Sequence, residues 1–298
     1  MADAGEAAYE SGVQARPWAR SAAYRRAALD ARRGDAGLSL LDREQSELFA
    51  DQYADRPSAP LAIVIAAYNE QATVASVIKA VPDELCGLGT EVIVVVDGAR
   101  DGTAGAAREA GALVCNVPTN RGQGAALRLG YHLARSRGAK FIMTTDADGQ
   151  YQSADMERVI WPLVEGEADF VSGSRRLGST TSKDAVRNTG VVVFAALISL
   201  LVRRLLTDPS CGLRGMTAEL TGTLVLDQPQ YQASELLIGA AMAGYRLKEV
   251  PIAMKARGAG KSKKAGNFVY GLRFGSVVVG TWWRELRAPD RLTKTQRS

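Results

Sequence analysis

The stretch FIMTTDADGQ, residues 141–150, places a short apolar run directly before a cluster of acidic and amide side chains. The apolar run predicts a buried strand, and Gly149 predicts that the strand ends in a turn. Asp146, Asp148 and Gln150 then carry oxygen atoms at positions i, i+2 and i+4. Two carboxylates and an amide oxygen suit Mg²⁺ or Mn²⁺, with diphosphate and water as the remaining ligands. Plain surface turns are also rich in Asp and Gly, so this stretch alone leaves both readings open.

The same order of apolar run, polar loop and helix occurs three times before that stretch. Apolar runs at 61–66, 91–96 and 112–116 each lead into a polar loop and then into a helical pattern. Four such units predict a parallel sheet with crossover helices. Ligands bind beyond the carboxyl ends of such strands. We therefore expect the leading polar residues of the four loops to lie along one rim: Asn69, Asp97, Asn120 and Asp146.

The second half of the chain continues with strands and helices but is less regular. Further strands are predicted at 169–172 and 246–252, and a helix at 232–245. The longest apolar run, 191–202, has 12 residues, whereas a helix that crosses a bilayer takes about 20. We therefore predict no transmembrane helix. A buried core helix is favoured for this run, and a helix lying on a membrane surface is the alternative.

Composition indicates a folded protein with an anionic partner. The chain has 298 residues, 46% of them hydrophobic, and a net charge of +5, which favours a nucleotide, a lipid phosphate, a phospholipid surface or a nucleic acid. The three cysteines are far apart and form no Cys-x-x-Cys pair. That pattern predicts neither a zinc knuckle nor a disulfide framework and fits a reducing cytoplasm. The first 30 residues contain no continuous apolar segment, so a secretory signal is not expected.

Three segments are predicted. Residues 1–58 are rich in Ala, Arg, Asp and Glu and predict a helical extension, with helices near 18–33 and 38–53 that pack on the main domain or on a second subunit. A segment that recruits a partner is the alternative. Residues 59–265 form the α/β domain. The tail, 266–298, mixes aromatic and basic side chains and predicts a helix. Such a helix suits a bilayer interface, although docking on the core or a homodimer contact is equally consistent with its sequence.

Eight motifs in order resemble family 2 inverting glycosyltransferases, in particular the dolichyl-phosphate mannose synthases and polyprenyl-phosphate glycosyltransferases. The resemblance covers residues 60–265 and implies the GT-A fold, a mostly parallel central sheet flanked by helices. The motifs are AAYNE at 66–70, VVDGARDGT at 95–103, NRGQGAAL at 120–127, DADGQ at 146–150, DFVSGSRR at 169–176, DPSCGLRGM at 208–216, EVPI at 249–252 and RGAGKSK at 257–263.

The resemblance implies a donor site for a UDP- or GDP-sugar and a Mg²⁺ or Mn²⁺ site. The metal ligands carried over are Asp146, Asp148 and Gln150. Implied donor-binding residues are Ala67, Tyr68, Glu70, Asp97, Arg121, Asp146 and Ala147. A carboxylate such as Asp97 can accept a nucleobase N–H, and an aromatic ring can cover the base. The loop at 120–123 can approach phosphate at a helix start, or Asn120 can simply cap that helix.

This chain departs from the family pattern at three positions. Val96 stands where the family has a first Asp before the glycine, and Ala99 stands where it has Ser. These two changes leave the nucleobase undetermined. Tyr151 stands where many relatives have His, which leaves a further contact to the metal undetermined.

The acceptor side is expected in the second half of the chain. The implied catalytic residues are Asp148, Asp208 and Glu235, and the implied phosphate- or acceptor-binding residues are Arg175, Arg214, Arg257, Ser262 and Lys263. An alcohol acceptor needs a general base, for which Asp208 and then Glu235 are the candidates. A lipid phosphate is already ionised at neutral pH and needs positive charge instead.

The basic residues therefore favour transfer of one sugar to a polyprenyl phosphate. A soluble family 2 enzyme acting on a hydroxyl acceptor is the alternative, and a nucleotidyltransferase can share the same sheet and metal chemistry. An RNA-binding module is disfavoured, because the sequence lacks the aromatic repeat of an RNA-binding sheet. Peripheral contact with the inner face of the membrane is compatible with this prediction.

Overall fold

Apart from one two-residue strand, the first half of the central sheet is parallel, as predicted. The computed structural model describes residues 33–180, 185–254 and 267–287. β1 (Leu61–Ala67) is the first strand, and the two-residue β2 (Glu84–Leu85) pairs antiparallel with the start of β3 (Leu88–Asp97). β4 (Leu113–Val117) lies outside β3, and β5 (Phe141–Thr144) lies on the other side of β1. The polar loops after β1, β3, β4 and β5 therefore meet at one edge.

The second half of the sheet contains an antiparallel strand that the sequence did not reveal. β6 (Phe170–Thr180) and β7 (Arg214–Thr217) pair antiparallel, and β7 also pairs antiparallel with β5. β8 (Leu247–Met254) is parallel to β6. The sheet is therefore mixed, and Arg214 begins β7 opposite Thr144.

Helices connect and cover these strands. In the described residues they are α1 (Leu40–Gln52), α2 (Val74–Lys79), α3 (Thr103–Glu109), α4 (Gln123–Ser136), α5 (Ser153–Val164), α6 (Ala185–Val202), α7 (Ala218–Thr223), α8 (Gln232–Met242) and α9 (Asn267–Arg287). α1 confirms the helix predicted near 38–53, whereas the helix predicted near 18–33 lies outside the described residues. The α/β architecture with a central sheet and flanking helices is confirmed.

Two apolar layers form the core, one on each face of the sheet. Successive side chains of β1 point into opposite layers: Ala62 and Val64 belong to one layer, and Ile63 and Ile65 belong to the other. A strand buried on both faces appears in the sequence as a continuous apolar run. This burial explains why the runs of Val and Ile predicted the parallel strands within a few residues.

Both outer strands of the sheet are bonded to neighbouring segments. On one side, Val114 N–H of β4 donates to the phenolic oxygen of Tyr53, just after α1, at 2.9 Å. On the other side, Ala253 N–H of β8 donates to Asp155 Oδ2 in α5 at 2.9 Å. The N-terminal segment is therefore bound to the sheet.

α6 and α9 pack on each other. The rings of Phe194 and Phe274 have centroids 4.4 Å apart, and Trp282 Nε1 donates to the carbonyl of Leu201 at 3.1 Å. The apolar run of α6 is only partly a core segment, since Leu200 is 74% exposed. Among the helices described, none combines the length and the apolar character that crossing a membrane requires.

Candidate active site at the carboxyl edge of the sheet

Hydrogen bonds join the loops that follow β1 and β3. Asn69 Oδ1 accepts from Arg100 N at 2.8 Å, and Glu70 N donates to Thr103 Oγ1 at 2.9 Å. Asn69 has a φ of 53°, a conformation that Asn tolerates better than most residues. Ala67 is buried at the end of β1, whereas Tyr68 and Glu70 are partly exposed. Tyr68 and Glu70 therefore lie at the rim that the sequence predicted.

Asp97 joins the end of β3 to the loop after β4. Its Oδ2 accepts from the backbone N–H groups of Arg121 at 2.7 Å and Gly122 at 2.8 Å, and its Oδ1 accepts from Arg121 Nε at 3.2 Å. The residue is only 3% exposed. A carboxylate has about four lone-pair positions, and these three bonds from described residues leave one of them on Oδ1.

Arg121 lies between two carboxylates, one of which the sequence analysis missed. Besides Asp97, it donates from Nη1 to Asp42 Oδ1, and Asp42 is 1% exposed in α1. Burial opposes the charge of Arg121, but the two carboxylates outweigh burial and raise its pKa above the ordinary value. The guanidinium therefore stays protonated, and the two carboxylates balance its positive charge. No local signal connects Asp42 to Arg121, which lies 79 positions away.

Asp146 follows β5 and contacts the loop that precedes β7. Its Oδ1 accepts from Gln123 Nε2 at 3.3 Å. A Cβ on Gly212 would lie 2.6 Å from Asp146 Oδ2, so only glycine fits at that position. Gly212 itself is held from both sides, because its N–H donates to Tyr151 Oη at 2.8 Å and its carbonyl accepts from Thr144 Oγ1 at 2.8 Å. The predicted donor loop and the predicted acceptor loop therefore meet at Asp146.

Asp148 and Gln150 form the turn after Asp146. Asp148 is largely buried, and its Oδ1 accepts from Gln150 N at 3.2 Å across Gly149, which has a φ of 73°. Ala147 packs in the core between the two aspartates. This turn confirms the local geometry that the sequence indicated, while the assignment of a metal remains a prediction.

The donor set fits a hard divalent ion. It consists of two carboxylates and an amide, and such ions take oxygen ligands from protein, phosphate and water. Within residues 33–180, 185–254 and 267–287, no group of three or more His, Cys, Asp or Glu side chains could hold a metal. An ion at Asp146 and Asp148 would therefore take its other ligands from Gln150, substrate and water.

Tyr151 supports the same junction. Burial is the main cause that raises the pKa of its phenol far above the ordinary value, and the nearby Cys211 and Asp146 add to it. The phenol is therefore protonated at neutral pH. Its oxygen accepts from Gly212 N–H, so this side chain positions the loop beside Asp146.

Asp208 and Arg175 form a buried ion pair. Arg175 Nε donates to Asp208 Oδ2 and Arg175 Nη2 to Asp208 Oδ1, both at 2.6 Å. Arg175 N also donates to Oδ2 at 3.1 Å, and Ser210 Oγ donates to Oδ1 at 3.2 Å. Burial raises the pKa of Asp208, but the bonds and charge of Arg175 outweigh burial and hold it below the ordinary value. Both predicted residues therefore bind each other, and Asp208 is a weak base.

Arg214 is buried and bonded to backbone carbonyls. Its Nη1 donates to Ala233 O at 2.6 Å and its Nη2 to Pro209 O at 2.8 Å. Burial lowers the pKa of this guanidinium. Arg214 therefore links the loop before β7 to α8, and a direct contact with acceptor phosphate remains a prediction.

Glu235 is buried in α8 and holds a loop. It accepts from Asp227 N at 2.9 Å, from Gln228 N at 3.1 Å and from Arg284 Nη1 at 2.8 Å. Burial raises its pKa, and these partners offset that effect only in part. The loop it holds packs against the start of α4, where Gly124 N donates to the carbonyl of Pro229 at 2.8 Å. Glu235 therefore supports the wall of the site.

The remaining predicted phosphate-binding residues cannot be placed. Arg257, Ser262 and Lys263 lie outside the described residues. Their role in clamping phosphate stays a prediction.

Comparisons with known proteins match the segment that carries this site. Residues 62–223 match the family model for glycosyl transferase family 2. Dolichyl-phosphate hexose transferase of Haloferax volcanii is 32% identical over 219 residues, 74% of this chain and 92% of that protein. Undecaprenyl-phosphate mannosyltransferase of Micrococcus luteus is 28% identical over 251 residues, 76% of this chain and 96% of that protein.

A solved structure is similar in fold. Glucosyl-3-phosphoglycerate synthase from Mycobacterium tuberculosis, in complex with Mn²⁺, UDP and phosphoglyceric acid, superposes with a TM-score of 0.59 and 20% identity. The similarity covers 80% of this chain and 82% of that one. The family match runs from β1 to the end of α7, so α1 and its Asp42 precede the matched segment.

Proposed function

Because the chain belongs to glycosyl transferase family 2, we propose that it transfers one sugar, with inversion, from a nucleotide diphosphate sugar to a polyprenyl phosphate. The observation that carries this proposal is the contact of Asp146 with Gly212, which joins the donor-side loop to the acceptor-side loop. Two relatives are named dolichyl-phosphate hexose transferase and undecaprenyl-phosphate mannosyltransferase. These names support a lipid phosphate as the acceptor class.

The nucleoside is proposed to bind at Asp97, beside Tyr68 and Glu70. The remaining acceptor position on Asp97 Oδ1 can take a nucleobase N–H or a ribose hydroxyl. A UDP- or GDP-sugar offers such donors. The structural relative that binds UDP supports uracil as the first base to test.

We assign the divalent ion to Asp146 and Asp148, with Gln150 as a further oxygen ligand. Bound Mg²⁺ or Mn²⁺ supplies positive charge that stabilises the departing nucleotide diphosphate. Two structures of glucosyl-3-phosphoglycerate synthase, which has a similar fold, contain UDP together with Mn²⁺ or with Mg²⁺, which supports this assignment. Asp146 is also bonded to Gln123 at the start of α4, so the protein fixes this carboxylate before substrate arrives.

The proposed reaction exchanges one bond at the anomeric carbon. An oxygen of the acceptor phosphate forms a bond to that carbon from the face opposite the nucleotide diphosphate. The bond from that carbon to the diphosphate oxygen breaks, and the departing nucleotide diphosphate keeps the electron pair. Because an ionised phosphate attacks without losing a proton, this reaction needs no general base.

The state of the acidic residues supports an acceptor that is already ionised. A general base must accept a proton from the acceptor at hydrogen-bond distance. Asp208 accepts four hydrogen bonds, and its pKa is lowered. Burial raises the pKa of Glu235, but its two carboxylate oxygens already accept from two backbone N–H groups and from Arg284. These contacts favour phosphate over an alcohol.

Exposed apolar and basic residues on α6 and α9 support peripheral contact with a membrane. On α6, Val193 and Leu200 are exposed, and on α9 Trp283 is exposed with Arg287 4.2 Å from its ring centroid. Aromatic and cationic side chains together suit the headgroup region of a bilayer. We propose that the protein binds the cytoplasmic face of the membrane in this way. A homodimer stays a prediction.

The test is a transfer assay with a panel of radiolabelled UDP- and GDP-sugars, Mn²⁺ or Mg²⁺, and undecaprenyl phosphate in vesicles. We expect lipid-soluble label from one donor, and we expect Asp146→Asn and Asp148→Asn each to abolish it. Asp51→Asn, an exposed acid on α1, is the matched control. Absence of lipid-soluble label from every donor would refute the proposal. Label on a water-soluble alcohol would instead establish the hydroxyl-acceptor enzyme.

A further inference from the structure

Asp42 is a buried carboxylate whose two oxygens bind different partners. Oδ2 accepts from Ser39 N at 2.8 Å and from Ser39 Oγ at 2.7 Å, which closes the capping box at the start of α1. Oδ1 accepts from Arg121 Nη1 in the loop after β4. Asp42 therefore connects the first turn of α1 to the proposed donor site, although it lies outside the family match at 62–223.

The contact continues from Arg121 to Asp97. Arg121 donates to Asp97 from its Nε and from its backbone N–H. Any movement of the guanidinium therefore changes the surroundings of the Asp97 carboxylate. α1 cannot easily follow such a movement, because Phe49 is buried in the core and Tyr53 is bonded to β4.

The charges explain how Asp42 holds the Arg121 guanidinium in place. Arg121 Nη2 is buried and has no hydrogen-bond partner among the described residues. Without Asp42, the Nη1 nitrogen would also lose its partner, and a buried cation with unpaired N–H groups is unfavourable. Arg121 would then turn toward solvent and release Asp97 Oδ1.

We propose that Asp42 is a positioning residue of the donor site, which acts through Arg121 to hold the Asp97 carboxylate where it binds the nucleoside. The inference rests on the proposed function, since it assumes that Asp97 contacts the nucleotide. It makes the segment before the family domain a part of the donor site. Asp42 itself does not touch the substrate.

Asp42→Asn in the full chain is the direct test. An amide has one acceptor oxygen and one donor nitrogen, so in either orientation its NH₂ group faces the donors of Ser39 or the guanidinium of Arg121. We expect the Kd of UDP or GDP, whichever the unaltered chain binds with Mn²⁺, to rise about tenfold, as for loss of one charged hydrogen bond. The KM for the donor rises by a similar factor, while kcat and the KM for the acceptor stay near their original values.

Two control variants separate positioning from folding. Ser39→Ala removes the hydroxyl that caps α1 but leaves Asp42 Oδ1 with Arg121. Asp51→Asn changes an exposed acid on the same helix. We expect both variants to bind nucleotide with the original affinity. If Ser39→Ala lowers the melting temperature and the nucleotide affinity as much as Asp42→Asn does, the effect of Asp42 is on folding and the proposal is overturned.

A double-mutant cycle tests the route through Arg121. In an Arg121→Gln background, Asp42→Asn should change the nucleotide Kd by less than about twofold, because its partner is already absent. The proposal would be overturned if Asp42→Asn raised the nucleotide Kd tenfold both with and without Arg121→Gln. It would also be overturned if Asp42→Asn alone left the Kd unchanged. If the unaltered chain binds neither nucleotide with Mn²⁺, the proposed function itself fails and this inference fails with it.

Discussion

Gly212→Ala should displace the Asp146 carboxylate with little other change. The new Cβ would lie 2.6 Å from Oδ2, 2.8 Å from Oδ1 and 2.9 Å from Cγ. The backbone of Gly212 cannot retreat freely, because Tyr151 and Thr144 bond its N–H and its carbonyl. The carboxylate must therefore move by about 0.8 Å to reach ordinary contact at about 3.4 Å.

A displacement of about 1 Å at a positioning group can lower the rate about 100-fold, equivalent to about 2.7 kcal/mol of transition-state stabilisation. We expect that loss in kcat/KM for the donor, together with a higher Mn²⁺ concentration for half-maximal activity. The assay is initial-rate transfer with Mn²⁺ varied at saturating acceptor. Gly105→Ala is the matched control, because a Cβ there meets nothing within 4 Å. Activity of Gly212→Ala equal to that of the control would refute the role assigned to Asp146.

Three further changes test contacts in the site and at the outer strand β4. Arg175→Met leaves Asp208 buried without its partner, and the free energy of unfolding at pH 7 should fall by about 3–5 kcal/mol in urea titrations. Because the folded-state pKa of Asp208 is lowered, the contribution of the ion pair to the free energy of unfolding of the original chain should be present above pH about 4 and lost below it. A difference in the free energy of unfolding between the two chains that persists unchanged at acid pH would contradict the pairing. Glu235→Gln should keep kcat near its original value, whereas loss of a general base costs about 10²–10⁴-fold; a loss of that size would establish Glu235 as the base. Tyr53→Phe removes the acceptor of Val114 N–H and should lower the free energy of unfolding by about 1–3 kcal/mol, with faster hydrogen exchange at Val114; unchanged stability and exchange would show that water replaces the phenol.

The parallel strands could be predicted because burial on both faces leaves a direct pattern in the sequence. Leu61–Ala67 and Leu88–Asp97 contain continuous apolar runs. The polar residues that end β3 and follow β5 placed Asp97 and Asp146 at the correct edge. β7 could not be predicted in this way. It has only four residues, RGMT, and its Gly215 packs against Leu163, where a Cβ would lie 2.8 Å from that side chain. A strand so short, with a glycine inside it, resembles a turn.

The roles of the charged residues were harder to predict than their positions. The sequence suggested Asp208 as a base and Arg175 as a phosphate ligand, and the fold brings these two side chains together across 33 positions. Pairing over such distances depends on how β6 and β7 are arranged, which no local pattern records. The partnership of Asp42 with Arg121 was hidden for the same reason.

The bonds at the two sides of the sheet have a consequence for behaviour in solution. An outer strand with free N–H and C=O groups is a template on which a strand from another chain can add, and such addition leads to aggregation. Tyr53 occupies the N–H of Val114 in β4, and Asp155 occupies the N–H of Ala253 in β8. Pro251 in β8 has no N–H to offer. At these positions the fold therefore resists extension of its sheet by a neighbouring molecule.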